Sequence, residues 1–82
     1  MKMEDLTKRL RASGDVGKSC LAAIVEDECR RIKKRFPEER NGTVSFLHGC
    51  LETLTAFGEI TEEEQHLLWQ DVMTRAYGET VL

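Results

Sequence analysis

The sequence predicts an all-α fold, a compact bundle of three to four helices joined by short loops. Two observations carry this prediction. Apolar residues recur at helical spacing in four stretches of the chain. Most of these stretches are bracketed by residues that start or stop helices. A chain of 82 residues can bury one modest core, so residues 1–82 are interpreted as a single helical domain.

The first helix is predicted over residues 3–12, where Met3, Leu6 and Leu10 form a narrow apolar stripe. Gly14 follows as a C-terminal stop, because a residue without Cβ adopts the left-handed turn at little cost. The stripe is short, so this helix is expected to dock on the rest of the chain rather than to stand alone.

The second helix is predicted over residues 16–35 and carries apolar residues on two neighbouring faces. Because each ridge needs a neighbour to cover it, we expect this helix to contact two others. Pro37 is expected to force the chain out of the helix, and residues 37–42 are interpreted as a connector, with one helical turn as an alternative. The first ridge contains Leu21, Val25, Cys29, Ile32 and Phe36, and the second contains Val16, Cys20 and Ile24.

The third helix is predicted over residues 43–57, with Thr43 as its N-cap, and its apolar stripe is the widest in the chain. It is therefore expected at the centre of the core. Gly49 lies inside it at a cost of about 1 kcal/mol relative to Ala, and it would permit close approach of another helix or a partner. The stripe contains Val44, Leu47, Leu51 and Leu54, widened by Phe46, Cys50 and Phe57.

The fourth helix is predicted over residues 61–77, with a flexible tail at residues 79–82. Thr61 and Glu64 match a capping box, and Gly58 is placed to end the preceding helix. The tail ends in Ser/Thr-x-apolar form, as do PDZ-domain ligands, although packing on the core or disorder is the preferred interpretation. The inner line of this helix contains Leu68, Val72 and Ala76, flanked by Trp69, Met73 and Tyr77.

The composition indicates a small acidic protein of the cytoplasm. Apolar residues make up 40% and charged residues 33% of the chain. No apolar run approaches the roughly 20 residues of a membrane span, so no membrane contact is expected. The N-terminus lacks the apolar segment of a signal peptide. The net charge of −3 divides unevenly, because residues 1–40 carry +3 and residues 41–82 carry −6. Such asymmetry bears on partners rather than on fold.

Residues 14–19, with Gly17, Lys18 and Ser19, resemble the end of a Walker A phosphate loop, and the similarity to small GTPases continues through Cys20. This resemblance implies nucleotide hydrolysis. However, the loop requires a glycine where Ala12 stands, and it requires a preceding strand. The sequence therefore does not predict a nucleotide site. A weaker anion site, formed by Lys18 and the free N–H groups of a helix start, is the alternative.

No arrangement of histidine and cysteine predicts catalysis or a cofactor. His48 and Cys50 lie two residues apart and so face different sides of a helix, and His66 is separate. No pair has the spacing of zinc-finger ligands. The cysteines are interpreted as small buried hydrophobic residues in a reducing compartment. We therefore expect no metal, no cofactor and no enzymatic activity.

The function predicted from these features is that of a small non-catalytic module that binds a protein partner. A self-contained chain of this size has the character of phage or mobile-element regulators, including inhibitors of host nucleic-acid enzymes such as anti-CRISPR proteins. The alternative is a nucleic-acid-binding protein that uses the basic end of the second helix. Self-association through the opposite charges of the two halves is a related possibility. The candidate partner-binding residues are Arg30, Arg31, Lys33, Lys34, Arg35, Arg40, Glu62, Glu63, Leu67 and Trp69.

Overall fold

The structure is a computed structural model that describes residues 1–78, and it confirms the all-α class and the bundle of four helices. No strand occurs within this range. The tail predicted at residues 79–82, with its PDZ-like ending, lies outside the described residues. Among the described residues no helix combines the length and the apolar character that crossing a membrane requires. The helices are α1 (Met3–Ala12), α2 (Val16–Arg31), α3 (Pro37–Ala56) and α4 (Glu62–Tyr77), with a 3-10 turn at Ile32–Lys34 after α2.

The four helices form two hairpins, because α1 packs against α2 and α3 packs against α4. Ion pairs join the hairpins. Arg9 pairs with Glu64 at 2.9 Å near the start of α4, while Glu4 pairs with Arg75 near its end, so α1 and α4 run antiparallel. The opposite charges of the two halves of the chain are thus partly neutralised by ion pairs within one molecule.

The core is centred on α3 and α4, as the sequence predicts for α3. Leu47 and Leu51 of α3 and Leu68 and Val72 of α4 have no exposed surface. Complete burial of a Leu side chain stabilises a fold by about 1.5–3 kcal/mol, so these four side chains are a main source of stability. The other buried apolar residues are Met3, Leu6, Leu10, Ala22, Val25, Ile32, Val44, Leu54, Ile60 and Ala76.

The link between α3 and α4 has the predicted local structure. Gly58 has a φ of +78°, and its N–H donates to the Thr55 carbonyl at 3.0 Å, while the Glu59 N–H donates to the Leu54 carbonyl at 2.9 Å. This is a Schellman ending. Thr61 and Glu64 then form the capping box, with reciprocal hydrogen bonds of 3.1 and 3.0 Å. The Arg9 guanidinium and the Thr61 N–H lower the pKa of the Glu64 carboxyl to about 2.

Two predicted boundaries are wrong, and both lie around Pro37. The α-helix of α2 ends at Arg31 rather than at residue 35, and α3 begins at Pro37 rather than at residue 43. Proline at the first helical position, followed by two acidic residues, is a favourable helix start. Thr43 is therefore not an N-cap. It is buried within α3, where it accepts a hydrogen bond from Arg35.

The second apolar ridge of α2 is not covered, contrary to the sequence-based expectation. Val16 is 78% exposed and Ile24 is 49% exposed, and Cys20 is exposed as well. Phe36, assigned to the first ridge, is 72% exposed because it lies in the extended link before Pro37. The body of α2 thus packs mainly on α1, while the 3-10 turn after it packs on α3 and α4 and Glu28 accepts a hydrogen bond from Thr43 of α3.

Candidate functional site

An open apolar groove of about 670 Å³ lies between the start of α2 and the second half of α3. Two phenylalanines stand at its edge, Phe46 with 45% and Phe57 with 77% of its surface exposed. Leu21 is half-buried, and Leu54 connects the groove with the core. Large apolar side chains exposed in this way are typical of surfaces that bind a partner. The groove is lined by Asp15, Gly17, Lys18, Leu21, Ser45, Phe46, Gly49, Cys50, Thr53, Leu54, Phe57 and Glu59.

The groove exists because the two hairpins do not close over the facing sides of α2 and α3. Each of these helices packs mainly on its hairpin partner, so the apolar sides that they turn toward each other stay open. Gly49 adds to the space, since a Cβ built there would meet no atom within 4 Å. A glycine inside a helix costs about 1 kcal/mol relative to Ala. No other part of the protein packs so closely on Gly49 that it would require this glycine.

The exposure of Phe57 follows from its place at the end of α3. Its N–H donates to the Thr53 carbonyl at 3.0 Å, and the chain turns away at Gly58. Phe46 lies eleven residues earlier, which is three helical turns and therefore nearly the same face of α3. Both rings consequently face the groove, and the distance between their positions along the helix is about 16 Å.

Protein carboxylates occupy the polar end of the groove. The Asp15 side chain accepts a hydrogen bond from the Lys18 N–H at 2.9 Å and so caps α2. The Lys18 ammonium pairs with Glu59 at 2.7 Å, and this hydrogen bond raises the pKa of Lys18. Asp15 and Glu59 thus engage one free N–H group of this helix start and the Lys18 ammonium, so the structure gives no support to the alternative of an anion site here.

The predicted basic cluster is mostly engaged in intramolecular contacts. Arg30 and Arg31 both pair with Asp27. Arg35 pairs with Glu28 at 2.9 Å and also donates to Thr43. These three arginines are thus engaged by two carboxylates, and because Arg30 and Arg31 share Asp27, one positive charge of this group is not balanced by an ion pair.

Arg40 has a structural role. Its guanidinium donates to the carbonyls of Ile32, Lys33 and Arg35 at 3.2, 3.1 and 3.0 Å. These carbonyls belong to the 3-10 turn and the link that follows, so Arg40 satisfies groups that a continuing α-helix would have paired. Of the predicted cluster, only Lys33 and Lys34 are exposed with no ion pair to residues 1–78.

The remaining predicted residues lie on α4, and the structure does not bring them together. Glu62 and Glu63 are exposed in its first turn. Leu67 is 39% exposed, as predicted, beside the N-terminus of the chain. Trp69 is half-buried on another side, in edge-to-face contact with His48 at 4.8 Å. These four residues thus border different surfaces, and none of them lines the groove.

The cysteines differ in their surroundings. Cys29 and Cys50 are half-buried, as small hydrophobic residues are, but Cys20 is exposed, which contradicts the expectation of burial. Burial raises the pKa of Cys29 to about 11 and also raises the pKa of Cys50. A raised pKa suppresses the reactive thiolate. Within residues 1–78 no group of three or more His, Cys, Asp or Glu residues is placed to hold a metal ion.

Phe46, Cys50 and Phe57 line the groove, although their spacing on α3 predicts positions in the core. One signal of the groove was present. The apolar stripe of α3 covers nearly half of the helix, which is wider than packing on a single neighbouring helix requires.

Comparison of the chain with protein-family models, with curated proteins and with solved structures gave no match.

Proposed function

We propose that this protein is a small, non-catalytic interaction module that binds a protein partner in the groove between α2 and α3. The observation that carries the proposal is the pair of exposed phenylalanines, Phe46 and Phe57, at the edge of an open apolar groove. Full burial of an exposed Phe side chain is worth about 1.5–3 kcal/mol, and because Phe46 and Phe57 have 45% and 77% of their surface left to bury, the two together supply about 2–4 kcal/mol. A micromolar complex needs about 8 kcal/mol, and these rings would supply a substantial part of it.

The acidic character of the α3–α4 hairpin supports a partner with a basic surface. From Asn41 to Ala56, α3 contains no Lys or Arg, and α4 begins with three glutamates. Enzymes that act on nucleic acids present basic surfaces to phosphate groups. The proposal therefore includes inhibition or regulation of such an enzyme, in the manner expected of phage and mobile-element regulators.

Nucleic-acid binding is the less supported alternative. The arginines of the basic cluster are held by ion pairs, with Arg30 and Arg31 sharing Asp27, or by hydrogen bonds to carbonyls, so Lys33 and Lys34 are its cations without an intramolecular side-chain contact among the described residues. Two phosphate contacts would give log affinity a slope of only about −2 against log salt. A steeper slope that substitution of Arg30 and Arg31 abolishes would contradict the proposed function.

The direct test compares two phenylalanines of similar exposure. Phe57 lies at the groove and Phe36, 72% exposed, lies outside it. Tagged full-length wild type, Phe57→Ala and Phe36→Ala are used to capture partners from the source cell, and the captured protein is then purified for titration. Truncation of an aromatic residue that anchors an interface costs about 2 kcal/mol or more, which corresponds to an affinity loss of about thirtyfold.

We expect Phe57→Ala to lose the partner and Phe36→Ala to keep it. Both side chains are exposed, so both variants should unfold within about 0.5 kcal/mol of wild type. A partner that binds Phe57→Ala as well as wild type, or that both variants lose equally, would show that the groove is not the binding surface.

A further inference from the structure

We infer that the occupant of the groove is an amphipathic α-helix of the partner with a basic polar side. This inference rests on the proposed function and adds the chemistry of the bound segment. Three features of the described residues support it: the shape of the groove, the missing side chains along it and the charges around it. Each points to the same class of ligand.

The shape favours a helix over an extended peptide. Capture of a peptide by β-strand addition requires the open edge of a sheet, and residues 1–78 contain no strand. The groove instead lies between two helices, as in the helix-in-groove mode of recognition. Phe46 and its counterpart Phe57, the C-cap of α3, lie eleven positions apart, a helical rise of about 16 Å that matches about three turns of a bound helix.

The missing side chains allow a helix backbone to approach closely. Gly17 on α2 and Gly49 on α3 line opposite sides of the groove. A Cβ on Gly49 would meet no atom of the protein within 4 Å, so the fold itself does not require glycine there. Gly42 is equally open but lies outside the groove, and it provides a natural control.

The charges around the groove favour a basic ligand. Asp15 lies at one end, and Glu39 lies seven residues before Phe46, so it continues the same face of α3 at the other end. The cation that lines the groove, Lys18, is already paired with Glu59. Glu39 has no ion pair to residues 1–78 and is exposed. A bound helix with Lys or Arg at its flanks would complement these carboxylates.

The test selects the ligand without assuming a sequence. A displayed library of random 16-residue peptides is selected on the full-length protein, and enriched peptides are synthesised for fluorescence anisotropy and circular dichroism. The expected peptides carry apolar residues at i, i+3 or i+4 and i+7, a net positive charge, and helical structure when bound. An enriched set that is acidic, proline-rich or extended would overturn the inference, as would a library that yields no binder.

Matched variants show whether the peptides use the groove. Gly49→Leu should weaken peptide binding at least tenfold, while Gly42→Leu should change it less than twofold. Both substitutions replace a helical glycine with a good helix former, so both should raise the melting temperature. Equal effects of the two variants on peptide binding would overturn the inference.

A second pair of variants tests the charge argument. Glu39→Gln should lower affinity about threefold to tenfold at low salt, mainly through slower association, and Glu52→Gln, at an exposed position of α3 outside the groove, should have no effect. If the two variants bound the peptides with equal affinity, the inferred basic character of the ligand would be wrong. Light scattering of the free protein tests whether a second copy of this chain occupies the groove instead. A dimer that Phe57→Ala dissociates would show this and would overturn the inference.

These outcomes separate the inference from the proposed function. A captured partner that depends on Phe57, together with selected peptides that are acidic or extended, would refute only the basic helix. Loss of dependence on Phe57 in both experiments would refute the interaction groove itself.

Discussion

Replacement of Arg40 by Ala tests whether the basic cluster is structural. The guanidinium makes three hydrogen bonds to backbone carbonyls, those of Ile32, Lys33 and Arg35, at the junction between α2 and α3. A hydrogen bond to a charged group is worth about 1.5–3 kcal/mol, but this junction is partly exposed, so we take about 0.5–1 kcal/mol for each bond. Arg40→Ala should therefore destabilise the protein by about 2 kcal/mol.

Urea unfolding followed by circular dichroism measures this loss directly. A domain of this size has a stability of about 5–15 kcal/mol, so 2 kcal/mol is a substantial fraction. The same loss lowers the melting temperature by about 8–16 °C. Arg40→Lys should be intermediate, because an ammonium group cannot reach three separated carbonyls in one geometry.

Lys33→Ala is the matched control, since Lys33 is exposed and has no ion pair to the described residues. Its expected effect is within about 0.5 kcal/mol of wild type. If Arg40→Ala were as stable as Lys33→Ala, the hydrogen bonds at the junction would contribute nothing. Arg40 would then have no structural role in the junction between α2 and α3.

Three further predictions follow from the core, the capping box and the thiols. Leu51→Ala should lower the free energy of unfolding in urea by about 2–5 kcal/mol, since its side chain is fully buried. An unchanged stability would contradict the placement of α3 at the centre of the core. Because the pKa of Glu64 falls from 4.5 to about 2 on folding, its contribution to stability is present above pH 4.5 and is lost toward pH 2. Glu64→Gln should flatten the wild-type decline in unfolding free energy over that range, and an unchanged decline would contradict the assignment. Iodoacetamide at pH 8 should modify Cys20 much faster than Cys29, whose pKa is about 11; mass spectrometry showing equal rates would contradict the burial of Cys29.

The local features of the fold were predictable because they depend on neighbouring residues. The capping box at Thr61, the left-handed turn at Gly58 and the stripe of α1 each involve side chains within a few positions of one another. The inner line of α4, with Leu68 and Val72 buried, also follows from spacing alone. For such features the sequence carries the full physical cause.

The start of α3 shows where local reasoning was insufficient. Asn41 and Gly42 are weak helix formers, and their presence favoured a connector. In the structure Arg40 and Thr43 bind groups of the preceding 3-10 turn and of α2, and these tertiary contacts hold the segment helical from Pro37. The intrinsic preference is small, so a few contacts from elsewhere in the chain outweigh it.

Four amphipathic helices, and the ends of most of them, could be predicted from the amino-acid sequence, because periodicity and capping act over one or two turns. Which apolar surfaces are covered depends instead on how the helices pack. The spacing of apolar residues on α3 is compatible with either burial or exposure of Phe46 and Phe57. The same holds for the ridge of α2 that contains Ile24. The relative placement of the two hairpins leaves both uncovered, and that placement depends on contacts between residues far apart in the chain.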